Sequence, residues 1–377
     1  MKIFDALLDA KTSADVENII QQLGDTISWT PIGNNPGNYG VISMGSEPYD
    51  GITERITNSM DALIELGIEL VPQLKNITSP RKASEIIFGI KEGNLKCIES
   101  EMMGELASKI KVKFLDGDSQ KEPTIEIWDS GIGQHPEDFP ETLLGLNRDY
   151  KVSKFYLIGA FGQGGQTSFH HCKYGIIISR KHPNLLRKNQ QDMVGWSIVR
   201  YRDPSTKEQF YKRGFWEYCI ETSTNKILTL EPVNLRKIFE HGTIIRMIAY
   251  DLPRGAGDVL QPANTAWGFL SQSLFDPVLP IRLFEERHIY ENRNRPLYGL
   301  APRLWGGGKG EKVQIGLNDS YDIDLKRYGK LKINYWTLRP TEEYGWKDVK
   351  KGFVSGSNAI FITMSAPHHK WWGILKG

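Results

Sequence analysis

Apolar residues recur at helical spacing near the start of the chain, where Phe4, Leu7, Leu8, Val16, Ile19, Ile20 and Leu23 predict helix over residues 5–24. A Gly/Pro/Asn-rich stretch at 33–40 reads as a loop. The next period is the firmest in the sequence. Ile52, Ile56, Met60, Leu63 and Ile64 share one face of a helix over 48–67, with Pro48 and Asp50 near its start and Gly67 in the place of a C-terminal cap. Glu54, Asn58 and Asp61 share another face of the same helix, at i, i+4 and i+7. Residues 83–110 predict helix with a break. Strands follow at 110–115, 124–128, 174–179, 196–201, 215–221, 226–230 and 243–249. Segment 134–158 is polar with no firm period, and a helix opens within 161–170. Strands coming after helices in this way predict an α/β (α+β) sandwich whose sheet is covered on one face.

The Pro/Gly-containing segment 251–257 divides the chain, giving an expected first domain over 1–255 and a second over 256–377. In the second, a helix around 263–273 and strands near 281–284, 312–316, 330–337 and 359–364 predict a smaller α/β unit. At 377 residues the chain is long enough for two or three domains, and 40% hydrophobic with 24% charged residues describes an ordinary globular composition. A net charge of +2 requires neither a nucleic-acid nor a membrane partner. Three widely spaced cysteines exclude a disulfide framework, and with Asp5 and Asp9 too early for a signal peptide they predict a cytoplasmic protein. No stretch approaches the ~18 apolar residues of a membrane span. The apolar ending over 371–377 reads either as a docked tail or as the edge of a longer protein with a further C-terminal region.

Three segments carry candidate chemistry. In Glu54-Arg55-Ile56-Thr57-Asn58-Ser59-Met60-Asp61-Ala62, a carboxylate suited to act as a base stands one turn before an amide oxygen suited to a hard metal ion. Taken alone, the two also read as solvated face residues. Asp129 follows the strand ending at Trp128, where a carboxylate can accept a hydrogen bond from an adenine amine, and Gly131 and Gly133 let the backbone turn tightly and admit a flat ring. Alone, this is also a common turn. Gly159-Ala160-Phe161-Gly162-Gln163-Gly164-Gly165 precedes helix and can present backbone N–H groups to phosphate. A Rossmann reading fails because no strand leads into Gly159, and a Walker A reading fails because no Gly-Lys-Ser/Thr occurs. Thr243, at a strand start, can set a hydroxyl beside Asp129.

Joined in this order, the segments resemble the motifs of the GHKL superfamily, named for gyrase, heat-shock chaperones, histidine kinases and MutL. Glu54-x-x-x-Asn58-x-x-Asp61-Ala62, Asp129-x-Gly131-x-Gly133, Gly159-x-x-Gly162-x-Gly164 and Gly242-Thr243 match its four motifs, and the resemblance covers roughly residues 40–250. It implies a left-handed α/β sandwich (the Bergerat fold) that binds ATP and Mg²⁺. Carried over, Glu54 is the catalytic base and Asn58 the Mg²⁺ ligand. Asp129 reads adenine with Gly131, Gly133 and Thr243. Asp61 and the segment holding Gly159, Phe161, Gly162, Gln163, Gly164 and Gly165 complete the nucleotide site. Segment 134–158 is the implied lid, with Lys154 as a candidate phosphate contact. The second unit resembles the transducer domain of gyrase-like and MutL-like members, with Lys309, Lys312 and Lys370 as candidates to reach the γ-phosphate.

The function implied is a slow ATPase in which nucleotide drives lid closure and homodimerisation within a larger machine. DNA handling draws on Arg180-Lys181-His182, Arg187-Lys188 and His368-His369-Lys370-Trp371-Trp372, where basic and aromatic residues lie together. Protein partners through a further C-terminal region and a bacterial antiphage-defence role rest on family analogy. A chaperone ATPase and a histidine-kinase-like phosphotransferase stand as alternatives.

Overall fold

A computed structural model describes residues 3–43, 47–146, 151, 153–159, 164–204, 213–232, 239–252, 256–261, 265–305, 315–324, 326, 330–338, 358–359 and 374–375. The predicted N-terminal helix is two helices, α1 (Ile3–Asp9) and α2 (Ser13–Leu23). Thr12 separates them: it caps α2 through its hydroxyl, and Asp15 reciprocates to the Thr12 backbone, so a new helix starts there. Strand β1 (Ile27–Pro31) and a short helix α3 (Tyr39–Ile42) lead to α4 (Pro48–Leu70). Helix α4 runs through Gly67 rather than ending there. A Cβ at Gly67 would lie 2.5 Å from Ile87 Cγ2 in α5 (Pro80–Phe88), so this glycine serves close helix approach and not a cap. Helix α6 (Ser100–Ala107) then leads into the hairpin of β2 (Ile110–Ser119) and β3 (Glu122–Asp129).

After a short helix α7 (Gly164–Thr167) come β4 (Tyr174–Arg180), β5 (Val194–Arg202), β6 (Phe215–Glu221), β7 (Leu228–Leu230) and β8 (Gly242–Ile248). Helix α8 (Ala266–Ser273), β9 (Ile281–Glu285), β10 (Arg293–Leu297) and α9 (Leu300–Trp305) follow. One sheet of ten strands organises them in the order β1-β6-β5-β4-β8-β3-β2-β9-β10, with β7 beside β5. Every pairing in it is antiparallel except β2 with β9. The chain is thus of mixed α/β class. Strands β9 and β10 lie beyond the boundary expected at 255 and continue the same sheet. Two further hairpins pair β11 (Ile315–Asp324) with β12 (Lys330–Leu338) and β13 (Asn358–Ala359) with β14 (Ile374–Leu375).

The sheet is covered on both faces, not on one as the sequence pattern suggested. Along β4, Ile177 joins a core with α4 and α8, whereas Ile176 and Ile178 join a second core with Phe4, Leu7, Val16 and Ile19 of α1 and α2. Central strands buried on both sides carry continuous apolar runs instead of alternation, and Gly175-Ile176-Ile177-Ile178 is such a run. Arg246 of β8 clamps the second layer. It donates to the carbonyls of Leu8 and Ala10 and, at 2.8 Å, to Glu126 Oε2 of β3. Among the described residues no helix is long and apolar enough to cross a membrane.

Candidate functional site

Helix α4 buries Ile52, Ile56, Met60, Leu63, Ile64 and Ile68 against the sheet, as its period requires, and this orients the polar stripe beside them. Asp61, 1% exposed, is the hub of that stripe. Its Oδ1 accepts the Ile158 N–H at 2.6 Å, and its Oδ2 accepts the Gly159 N–H at 3.1 Å and the Lys151 ammonium at 2.8 Å. Lys151, with only 7% of its side chain exposed, also donates to Asn58 Oδ1 at 2.8 Å. One turn earlier, water reaches the Glu54 side chain, yet surrounding protein encloses much of it. Its carboxyl is raised above the usual range by desolvation, with Asp61 and Asp50 adding and Lys151 and Arg55 opposing.

The Asn58 and Asp61 oxygens are therefore arranged around positive charge. Hard oxygens of this kind also suit Mg²⁺, which takes few protein ligands and keeps water and phosphate oxygens. Among the described residues no group of three His, Cys, Asp or Glu is disposed to hold a metal. The Asn58 amide oxygen is one hard oxygen donor at this place, already taking the Lys151 ammonium.

At the sheet end facing α4, Asp129 closes β3 and stands in register with Thr243 of β8. Only 4% exposed, it accepts Ser59 Oγ from α4 at 3.1 Å and the Gly131 N–H at 2.9 Å. Burial pushes its carboxyl up to about 7, against the pull of the Gly131, Ser59 and Thr243 hydrogen bonds. Thr243 Oγ1 lies 2.9 Å from Ser179 Oγ of β4.

The two glycines after Asp129 serve close packing. A Cβ on Gly131 would meet Ala62 Cβ at 2.5 Å, and one on Gly133 would lie 1.9 Å from the Arg180 carbonyl oxygen. Gly133 also has φ +63, which disfavours side chains. Gly133→Ala should cost about 3 kcal/mol or more of stability, read from the denaturant midpoint. An unchanged midpoint would refute that packing.

The glycine segment approaches the same stripe. A Cβ on Gly159 would lie 3.1 Å from Asp61 Oδ2, and one on Gly165 3.2 Å from both Asn58 Nδ2 and Arg55 Nη1. Gly164 begins α7, while Phe161, Gly162 and Gln163 lie outside the described residues. Gln166 of α7 donates to the carbonyls of Leu143 and Gly145, tying this helix to the segment expected as a lid. Arg55 is buried beneath: its Nε donates to Ser168 Oγ at 2.9 Å, its guanidinium lies 4.6 Å from the Phe169 ring centre, and desolvation lowers it to about 10.

Lys154 forms an ion pair with Glu65 of α4. Desolvation pulls the Lys154 ammonium down, but Glu65, with Tyr156 and Glu69, leaves it raised. The lysine that reaches the Asn58–Asp61 pair is Lys151, which the motif reading passed over because nothing in the local pattern separates two lysines three residues apart. Ser59 and Arg55 were hidden likewise, at positions the first motif leaves unspecified. Lys309, Lys312, Lys370 and the segment His368 to Trp372 lie outside the described residues. Arg180 is buried in a two-pronged pairing with Asp192 at 2.9 and 2.7 Å, and Arg187 pairs with Asp138 at 2.7 Å. Neither is presented as an unneutralised basic patch.

No protein-family model matches the sequence, and no curated protein matches it.

Proposed function

We propose that this chain is a GHKL-type ATPase that binds ATP against α4 and the end of β3 and hydrolyses it slowly. One observation supports the reading above others: segments distant in sequence, each matching one motif of that family, meet around α4 by direct contact. Ser59 reaches Asp129, Asp129 stands opposite Thr243, Gly159 lies on Asp61, and Gly165 lies on Asn58. A left-handed sandwich for the ATP domain and a transducer-like role for residues 256–377 belong to the same proposal.

In this reading Asp129 accepts a hydrogen bond from the adenine amine beside Thr243. The Gly159 N–H is already given to Asp61, which leaves Gly162, Gly164 and Gly165 to offer N–H groups to the phosphates. Asn58 would hold Mg²⁺, which when bound neutralises phosphate charge. Glu54 orients a water and takes its proton as the water oxygen bonds to the γ-phosphorus and the bond to the β–γ bridging oxygen breaks, giving ADP and phosphate. A carboxylate in this place favours hydrolysis over transfer to a histidine. Closure of segment 134–158 and nucleotide-driven homodimerisation complete the switch. A DNA-handling or defence role for the larger assembly rests on family analogy alone.

Calorimetric titration with a non-hydrolysable ATP analogue in Mg²⁺, a size measurement with and without it, and phosphate release from ATP test the reading. Binding, slow release and a shift to dimer are expected. A chain that neither binds the analogue nor releases phosphate sinks it.

A further inference from the structure

We propose that Lys151 is a built-in cation that competes with the nucleotide's metal: its ammonium sits on Asn58 and Asp61, at the oxygen that would hold Mg²⁺, so that loading is an exchange of Lys151 for Mg²⁺. The inference rests on the ATPase reading and adds to it a latch. Its basis is geometric. The ammonium's bonds to Asn58 Oδ1 and to Asp61 Oδ2 are each 2.8 Å long. An ammonium and a divalent cation repel each other, so Lys151 on the Asn58 oxygen weakens a metal's hold there.

The neighbouring contacts stay in place when Lys151 is exchanged. The same Asp61 carboxylate that takes Lys151 also takes the N–H groups of Ile158 and Gly159, and Glu65, one turn further along α4, takes Lys154. One stripe of α4, through Asn58, Asp61 and Glu65, thus holds Lys151, Lys154, Ile158 and Gly159. When Lys151 leaves, Asp61 keeps two backbone donors, the N–H groups of Ile158 and Gly159, and is not left as a bare buried charge. Lys151 then leaves Asn58 while Lys154 stays on Glu65 and Ile158 and Gly159 stay on Asp61. A latched chain is only partly competent to bind, and its apparent affinity is reduced by that fraction.

The test is calorimetric binding of the non-hydrolysable ATP analogue across a Mg²⁺ series, by the whole chain and by K151M and K151R. Hydrogen exchange of segment 151–159 without nucleotide is measured alongside. K151M should need about tenfold less Mg²⁺ for half-maximal binding and should exchange faster at the 151 end, with 158 and 159 unchanged. K151R keeps a cation on the two oxygens and should remain close to wild type in both. If K151M, folded and with wild-type analogue binding in saturating Mg²⁺, shows an unchanged or raised Mg²⁺ requirement, the latch is wrong while the ATPase reading stands. If the wild-type chain binds no analogue at any Mg²⁺ concentration, the ATPase reading fails and the latch falls with it.

Discussion

Replacing Glu54 by glutamine should remove nearly all ATP turnover while leaving nucleotide binding in place. Glutamine keeps the shape of the side chain and can still hold a water, but it cannot take the water's proton. A positioned general base contributes about 10²–10⁴-fold, and a loss within that range is expected in single-turnover hydrolysis. The Glu54 environment sharpens the test. Desolvation, reinforced by Asp61 and Asp50, raises its carboxyl, and a base works only when deprotonated. The wild-type rate should therefore climb with pH through this raised value, and the glutamine variant should lose that limb of the profile. Turnover that survives the substitution intact would remove Glu54 from the chemistry.

Asp129→Asn has the second largest expected effect, on binding and on the pH dependence of folding together. Asp129 accepts Gly131 N–H on one oxygen and Ser59 Oγ on the other, and the adenine amine would be a further donor to the same group. An asparagine brings an NH₂ among donors and leaves one of them without an acceptor, at a cost of about 1–3 kcal/mol, which is roughly a tenfold to hundredfold loss of analogue affinity. For stability the sign follows from the raised pKa. Between the ordinary value of 3.8 and about 7, the native carboxyl holds a proton that the unfolded chain has lost. The native state binds more protons in that window, so the contribution of Asp129 to stability is present below 3.8, falls as pH rises, and levels off above about 7. The full difference converts to at most about 4 kcal/mol. Asparagine does not titrate, so wild type should lose stability relative to Asp129→Asn between pH 4 and 8, measured as paired denaturant midpoints. Parallel pH profiles would show that the carboxyl is not desolvated as described.

How much of this was legible in the sequence depended on whether a residue's role was local. The apolar stripe of α4 and the end of β3 at Asp129 follow from period and strand length, and both stand where the pattern put them. Gly67 misled because a glycine near a helix end reads as a cap, whereas its reason is Ile87 across the interface with α5. The second covered face was written in the unbroken apolar run of β4, but such a run does not say which segment covers it, and the cover comes from the first helices of the chain. Lys151 was illegible for the same reason. Its partners, Asn58 and Asp61, lie on a helix distant in sequence, and no local pattern distinguishes it from Lys154.

The parallel pairing of β9 with β2 has a consequence for how the molecule is made. Strands β3, β4 and β8 can assemble once residue 248 has emerged, but β2 keeps an open edge until residues 281–285 arrive to cover it. Pairings between such distant strands form slowly, because a long loop must close before any bond rewards it. A nascent chain thus carries an exposed strand edge through much of its synthesis, and exposed edges recruit other strands. Strands β9 and β10 therefore cover the edge of β2 and move the open edge of the sheet out to β10.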